Sequence, residues 1–135
     1  MPSDTPRLAL PFVGVSTFMN KPLVLDWDRI DADIAFLGAP FDLGTQVRPG
    51  ARFGPRGLRE GSRLMAVGES GAYDPEDDVA YLRPADARIV DIGDADMVHF
   101  DAQHCLDNIE AAVRKILAAG ALPVVCGGDH SVHIP

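Results

Sequence analysis

The sequence predicts an α/β fold with a parallel sheet, and the order of its elements is the main reason. Three short apolar stretches have the composition of strands, at 33–38, 88–93 and 122–126, and each ends in or precedes glycine. Helical patterns separate these stretches, one from about 55 to 67 and one from about 101 to 119. Strands that alternate with helices form a parallel sheet with right-handed crossovers.

The first 30 residues differ from the rest because prolines interrupt them. Pro2, Pro6, Pro11 and Pro22 prevent a continuous helix. The segment is nonetheless rich in large apolar residues, namely Phe12, Val13, Phe18, Leu23, Val24, Leu25 and Trp27. We expect residues 1–30 to form an ordered arm that lies across its own domain or a neighbouring subunit. The α/β domain then occupies 31–135.

A candidate substrate loop follows the first strand. The strand at 33–38 leads into Ala-Pro-Phe-Asp-Leu-Gly at 39–44, which places Asp42 beyond its carboxyl end. Ligands of open α/β sheets bind at the carboxyl ends of strands, so Asp42 is a candidate substrate contact. The alternative is that Asp42 forms a turn beside Gly44, which is the commoner role for aspartate.

The segment at 45–57 is rich in glycine, proline and arginine. It contains Arg48, Arg52 and Arg56, but its prolines and glycines prevent one continuous helix. A loop of this kind could bind phosphate. However, it has neither the GxxxxGK[ST] order nor a GxGxxG sequence after a strand, which disfavours nucleotide binding. We expect the arginines to pair with the acidic surface or with a partner subunit.

Two helices are predicted from apolar spacing. The first begins at Pro55, which suits a first helical turn, and extends to about Val67. Its predicted buried stripe consists of Leu58, Leu64 and Met65. The second extends from Asp101 or Gln103 to about Ala119, and Gly120 ends it. Its buried stripe consists of Leu106, Ile109, Val113, Ile116 and Leu117.

Two acidic segments are weak candidates for cation sites. The segment 69–78 holds five carboxylates and no basic residue, but its spacing does not match a calcium loop, so we expect a solvated loop. Asp94, Asp96 and His99 follow the second strand as D-x-D-x-x-H. That order implies no specific ligand geometry, and turn formation is the simpler interpretation.

The strongest candidate site follows the third strand. Its apolar run at 124–126 is typical of a strand buried on both faces. The chain continues with Gly127, Gly128, Asp129, His130 and Ser131. The glycines permit a close approach of another backbone, and a neutral imidazole is a common metal ligand that a neighbouring carboxylate can orient. A lone histidine in a loop is, on its own, more often a hydrogen-bonded structural residue.

Composition argues against several classes of function. The net charge is -8, with 20 acidic and 12 basic residues, which disfavours a nucleic-acid or anionic-membrane partner. No apolar run approaches the roughly 18 residues of a membrane helix, and the first residues have no apolar signal core. The two cysteines, Cys105 and Cys126, do not form a CxxC pair, so we expect a reduced, cytoplasmic protein.

Four segments together resemble the ureohydrolase family of arginases and agmatinases, and more closely its agmatinase branch. They are Gly-Ala-Pro-Phe-Asp at 38–42, Arg-Pro-Gly-Ala-Arg-Phe-Gly-Pro-Arg at 48–56, Ile-Val-Asp-Ile-Gly-Asp at 89–94 and Gly-Gly-Asp-His-Ser at 127–131. The resemblance implies a three-layer α/β/α sandwich. It also implies hydrolysis of a guanidino compound, agmatine or a guanidino acid, to urea and an amine at a two-manganese centre. His130 would be a manganese ligand, with Gly127, Gly128, Asp129 and Ser131 supporting it.

The sequence departs from the family pattern in two ways. The family's other metal ligands, in DAHxD-type and DxD-type segments, do not occur before Pro135. We therefore expect an incomplete sandwich, the N-terminal part of a homo-oligomeric enzyme at least twice as long, with no catalytic residue and no activity of its own. The alternative is a truncated, non-catalytic subunit that pairs with a complete homologue. His133 also stands where small hydroxyl residues are usual. It could add a ligand one helical turn from His130, but we interpret it as structural.

Overall fold

A computed structural model of the protein describes residues 13–135, and a three-stranded parallel sheet organises it. In chain order the main elements are β1 (Ile34–Ala39), α1 (Gly54–Ser62), β2 (Ala72–Asp74), β3 (Val79–Tyr81), β4 (Ile89–Asp94), α2 (Ala102–Ala118) and β5 (Leu122–Gly127). The sheet order is β4-β1-β5, so β1 is central. Both strand pairs are parallel, which confirms the predicted sheet.

One face of the sheet carries the apolar core and packs against α2. The strands contribute Ala35, Leu37, Ala39, Val90 and Ile92, and the helix contributes Cys105, Ile109, Ala112 and Ile116. Ile109 and Ile116 are buried as predicted, whereas Leu117 is 57% exposed. Full burial of one isoleucine side chain stabilises the fold by about 1.5–3 kcal/mol.

The boundaries of α2 agree with the sequence. Asp101 caps the helix by accepting a hydrogen bond from the backbone N–H of His104 at 3.0 Å. Gly120 follows the last turn with a φ of 77°, a conformation that glycine adopts without strain. The predicted helix is therefore confirmed together with its start and stop signals.

The buried face of α1 is polar, and the predicted apolar stripe is wrong. Leu58, Leu64 and Met65 are 49%, 65% and 71% exposed. The buried residues of the helix are instead Pro55 and Arg59, and Arg63 is buried in the following turn, where it donates to the Asn20 side chain of the arm. The α-helix also ends at Ser62, and a 3-10 turn over Arg63–Met65 replaces the predicted extension to Val67. The reason is an ion-pair layer between α1 and the sheet, described below.

The two helices lie on opposite faces of the sheet. Successive side chains of a strand point to opposite faces. Val90 and Ile92 belong to the core beneath α2, so Asp91 between them faces the other side, where Arg59 of α1 binds it. The described residues thus form helix, sheet and helix layers, in agreement with the predicted α/β/α architecture.

The acidic segment at 69–78 is not wholly a loop. It contains β2 and leads into β3, and these short strands form an antiparallel hairpin in which Ala72 lies opposite Tyr81. The Tyr73 hydroxyl donates a hydrogen bond to Asp78 at 2.8 Å, and this bond raises the pKa of Tyr73. Most of the segment is exposed, as expected.

Strand β5 is less buried than its apolar sequence predicts. Leu122, Val124 and Val125 are 61%, 39% and 37% exposed. Within residues 13–135, β5 pairs with β1 on one side and forms the edge of the sheet on the other. A parallel strand becomes buried on both faces only when neighbouring elements cover it.

The described part of the N-terminal arm, 13–30, runs beside β4. Leu23 forms a parallel bridge with Asp91, and the Val24 N–H donates to the Asp91 carbonyl at 2.9 Å. The indole N–H of Trp27 donates to the Ile92 carbonyl at 2.8 Å. The predicted arm also includes Pro2, Pro6, Pro11 and Phe12, which lie outside the described residues.

Among residues 13–135, no helix is both long and apolar enough to cross a membrane.

Candidate metal-binding site

Asp129 joins the turn after β5 to the loop after β1. One carboxylate oxygen accepts a hydrogen bond from the Ser131 N–H at 2.8 Å and so caps the 3-10 turn His130–His133. The other oxygen accepts from the Gly44 N–H at 2.8 Å. Because both oxygens bind backbone groups, Asp129 fixes the position of His130 relative to the neighbouring loop. This geometry gives the predicted supporting residue a physical role.

Gly128 lies where two backbones touch. Its N–H donates to the Ala39 carbonyl at 3.1 Å, and the next N–H, of Asp129, donates to the Phe41 carbonyl at 2.7 Å. A Cβ at position 128 would lie 2.0 Å from the Phe41 carbonyl oxygen. No side chain fits there, so glycine is required by close approach, as its sequence context indicated.

Gly127 and Ser131 complete the packing of the same turn. A Cβ on Gly127 would lie 2.8 Å from a methyl of Val132, which is the buried residue of the turn. The Ser131 hydroxyl occupies the space beside Gly44, 2.3 Å from the position of a Cβ there. The two loops therefore interlock through Gly44, Gly127 and Gly128.

His130 is exposed at this edge of the sheet, and a second imidazole lies beside it. The ring centres of His130 and His133 are 4.9 Å apart, with the ring planes inclined at 52°. His133 is exposed as well, whereas Val132 between them is buried. The turn thus presents two imidazoles on its outer side.

Asp42 is buried and holds the arginine-rich loop. Its side chain is 2% exposed and accepts hydrogen bonds from the Gly50 N–H and from Nε of Arg52, both at 2.8 Å, while Nη2 of Arg52 lies 2.5 Å from its other oxygen. The hydrogen bonds from the Arg52 side chain lower the pKa of Asp42. Asp42 therefore closes the loop 43–50, and its direct contact with a substrate stays a prediction. The predicted pairing of the loop arginines with acidic groups is seen for Arg52.

The D-x-D-x-x-H residues are not gathered into a cluster. Asp94 binds Arg59 at 2.6 Å, whereas His99 lines an apolar groove of about 490 Å³ together with Phe41 and Asp42. Throughout residues 13–135, no group of three or more His, Cys, Asp or Glu side chains is placed to hold a metal ion. A metal ion bound at His130 would need further donors from other sequence.

An ion-pair layer surrounds Arg59 and was not predicted from the sequence. Its Nε and Nη2 donate to the two carboxylate oxygens of Asp91 at 2.7 and 2.9 Å, and Nη1 donates to Asp94 at 2.6 Å. Burial opposes the charge of the guanidinium, but these hydrogen bonds outweigh it and raise the pKa of Arg59. The available signal was Asp91 itself, because a carboxylate inside an apolar strand needs a buried partner.

This layer also positions α1 against the candidate site. Gly38 has no side chain, and the Asp94 carboxylate occupies the space that a Cβ would fill, at 1.8 Å. At the start of α1, a Cβ on Gly54 would lie 2.7 Å from the Gly127 carbonyl oxygen. Arg59 therefore fixes a helix whose N-terminus touches the strand end that leads to His130.

Comparison with known proteins identifies the family. A family model described as the arginase family matches residues 32–135, which include the sheet and the turn at His130. The chain belongs to the arginase family. Within it, the chain is 36% identical to the mitochondrial guanidino acid hydrolase of Homo sapiens, over 98% of this chain and 37% of that protein. It is also 36% identical to the guanidinobutyrase of Pseudomonas aeruginosa, over 92% of this chain and 37% of that protein.

Solved arginase-family structures share the fold. A hypothetical agmatinase from Burkholderia thailandensis superposes with a TM-score of 0.73 at 29% identity, over 90% of this chain and 36% of that one. A Trypanosoma cruzi formiminoglutamase solved with Mn²⁺ gives a TM-score of 0.55 at 28% identity, over 75% of this chain and 32% of that one. These matches confirm the predicted fold class. The chain spans about 37% of the length of the curated relatives that it matches.

Proposed function

We propose that this chain forms the N-terminal part of a manganese-dependent hydrolase that converts a guanidino compound to urea and an amine. The substrate would be agmatine or a guanidino acid. Membership of the arginase family supports the reaction class, and the relatives named guanidino acid hydrolase and guanidinobutyrase support the substrate class. The neighbouring formiminoglutamase solved with Mn²⁺ supports the choice of metal.

The observation that carries the proposal is the turn at His130. It lies at the carboxyl edge of a parallel sheet, where ligands of α/β proteins bind, and Asp129 fixes it to the loop after β1. His130 offers an exposed imidazole, a donor that suits divalent transition metals. The residues present fit one side of a metal centre, and the remaining donors would come from sequence other than 13–135.

The residues of this chain would hold and orient the reacting groups. When bound, divalent ions provide an activated water and stabilise negative charge that develops on the substrate. His130 would provide one ligand, and Asp129 would keep its backbone in place through Ser131 and Gly44. The loop 43–50, closed by Asp42 and Arg52, would form a rigid wall beside the site.

A non-catalytic subunit is the second candidate function. Two observations favour it. In residues 13–135 no three metal-type side chains cluster, and β5 is an edge strand with exposed apolar side chains. A strand of a complete homologue could pair with that edge. Co-purification with such a homologue, without bound metal, would support this candidate over the first.

The proposal extends to the cellular setting and to assembly. We propose a cytoplasmic location because the two cysteines do not form a CxxC pair. We propose that the protein has no nucleic-acid partner because its net charge is -8. The exposed apolar side chains of β5 are the structural feature behind the proposed homo-oligomer.

Urea release tests the proposed function. Residues 1–135 are joined in frame to the part of the Pseudomonas guanidinobutyrase that follows its matching region, and urea is assayed with agmatine, guanidinobutyrate and guanidinopropionate. We expect manganese-dependent urea release from the joined protein, and none from the chain alone. The matched control is the joined protein with His130→Ala, which should be inactive.

Two results would contradict the proposal. One is a joined protein that shows native-like circular dichroism and a cooperative melting transition but releases no urea from any of the substrates. The other is a His130→Ala variant with full activity. Urea release by the 135-residue chain alone would overturn the requirement for further metal donors.

A further inference from the structure

We propose that His133 is a second imidazole ligand beside His130, so that the turn His130–His133 holds a divalent cation through two nitrogen donors. This inference rests on the proposed function in one respect, namely that His130 binds metal. It reverses the interpretation of His133 as structural. The observation behind it is the arrangement of the two rings, which lie side by side on the outer surface of one short turn.

The separation of the rings suits a shared ion. Since a metal–imidazole nitrogen bond is about 2.1 Å long, two imidazoles on one ion have ring centres roughly 4.6–5.2 Å apart at bond angles between square and tetrahedral. The observed separation is 4.9 Å, and the planes are inclined at 52° rather than stacked. The ring centres therefore already lie at a separation that two imidazoles on one ion require.

The backbone of the turn imposes this arrangement. In a 3-10 helix, side chains three positions apart lie on the same side. His130 and His133 therefore lie one above the other along the turn. Asp129 caps the turn, and the Ile134 N–H closes it on the Ser131 carbonyl at 3.0 Å. Val132 is 7% exposed and anchors the opposite side of the turn in the core. The backbone therefore holds both rings on the same side of the turn.

A second imidazole changes which ions the site prefers. Nitrogen donors favour Co²⁺, Ni²⁺ and Zn²⁺ over Mn²⁺, which prefers oxygen ligands. We infer that this chain binds the borderline-soft ions more tightly than a variant with a hydroxyl residue at position 133.

Calorimetric titration of the 135-residue chain with Ni²⁺ alone tests the inference. His133→Ser, which replaces the imidazole with a small hydroxyl group, should weaken Ni²⁺ binding by about tenfold or more, because two linked donors bind far more tightly than one. The matched control is His104→Ser, since His104 is another exposed histidine, in the first turn of α2. This variant should bind Ni²⁺ as the wild type does.

A spectroscopic measurement shows which histidines bind. Proton spectra of the four histidine rings are recorded during addition of Zn²⁺. We expect the signals of His130 and His133 to shift together, and those of His99 and His104 to stay in place. Equal Ni²⁺ affinity of His133→Ser and wild type, or a His133 signal that does not move, would overturn the inference.

The result of the metal titrations does not depend on whether the joined protein is active. Cooperative binding by both imidazoles, combined with a joined protein that releases no urea, would leave the two-imidazole site intact and reject the proposed function. Urea release that persists in His133→Ser, together with unchanged Ni²⁺ affinity, would support the proposed function and reject the role of His133. Melting curves of His133→Ser should match those of the wild type, because residue 133 is exposed.

Discussion

Asp91 of β4 and Arg59 of α1 form a two-point ion pair in a buried position. The two carboxylate oxygens accept from Nε and Nη2 of Arg59 at 2.7 and 2.9 Å, and Asp91 has no exposed surface. The same oxygens also accept from the backbone N–H groups of Phe18 and Gly93. This one carboxylate therefore connects α1, the sheet and the N-terminal arm.

Removal of the charge at Asp91 should destabilise the fold. In Asp91→Asn, the buried Arg59 guanidinium keeps one carboxylate partner, Asp94, and one acceptor oxygen of residue 91 becomes an NH2 group that faces N–H donors. Breaking a buried pair by changing one partner costs about 3–5 kcal/mol. We expect a loss of about 3 kcal/mol in the free energy of unfolding, measured by urea denaturation with the same m-value.

The matched control is an exposed pair of the same chemistry. Arg83 and Asp86 form an ion pair at 2.8 Å in which both side chains are well exposed. Exposed pairs contribute little to stability because water screens them. Asp86→Asn should leave the urea midpoint unchanged, and equal effects of the two substitutions would refute the structural role of Asp91.

Gly128→Ala should disrupt the turn that carries His130. The new Cβ would lie 2.0 Å from the Phe41 carbonyl oxygen and 2.7 Å from the Ala39 carbonyl oxygen, and both belong to backbone that cannot rotate away. Overpacking of this kind costs about 1–3 kcal/mol. We expect a lower melting temperature and weaker Ni²⁺ binding by calorimetry.

A second glycine substitution serves as its control. Gly57 lies within α1, and a Cβ there meets no atom within 4 Å. Gly57→Ala should therefore stabilise the chain, by about 0.5–1 kcal/mol, because alanine favours the helix. A Gly128→Ala protein as stable as Gly57→Ala would show that the two loops do not touch as described.

Asp129→Ala should weaken metal binding more than it weakens the fold. The substitution removes the acceptor for the N–H groups of Ser131 and Gly44, which hold the turn against the loop after β1. Loss of a residue that orients a metal ligand typically lowers metal affinity about 10- to 100-fold. Calorimetry with Ni²⁺ measures this change, while circular dichroism checks the secondary structure. Unchanged affinity would mean that Asp129 does not position His130.

Acid should destabilise the wild type through Asp42. The hydrogen bonds from Arg52 lower the pKa of Asp42 from its ordinary value of 3.8. The ionised Asp42 therefore contributes fully to stability when the pH is above 3.8, the pKa of the unfolded chain. This contribution is lost as the pH falls through the lower pKa of the folded state. Asp42→Asn should reduce the difference between urea midpoints at about pH 6 and about pH 2.5. A difference as large as that of the wild type would contradict this assignment.

Elements with local signals could be predicted from the sequence, and contacts between distant residues could not. Helix α2 has its cap at Asp101, its stop at Gly120 and a regular apolar spacing, and the structure agrees with each. The buried face of α1 depends on Arg59 and its partner Asp91, 32 residues away. No periodicity within the helix reveals that pairing, so an apolar stripe was predicted in its place.

The candidate site was predictable in its chemistry but not in its geometry. Glycine, acid and imidazole in succession identified 127–131, and the structure shows why Gly128 is required. The bond from Gly44 to Asp129 spans 85 residues, and the approach of the His133 ring depends on a 3-10 turn that sequence does not specify. The strands of the hairpin were not predicted, because β2 lies in an acidic segment and three residues are too few to show a periodic pattern in either strand.

Anomalous scattering from crystals of the joined protein would locate manganese directly. We expect a manganese peak within bonding distance of an imidazole nitrogen of His130, at the carboxyl edge of the sheet. A well-ordered manganese site elsewhere, with His130 bound to no ion in crystals that release urea when dissolved, would contradict it.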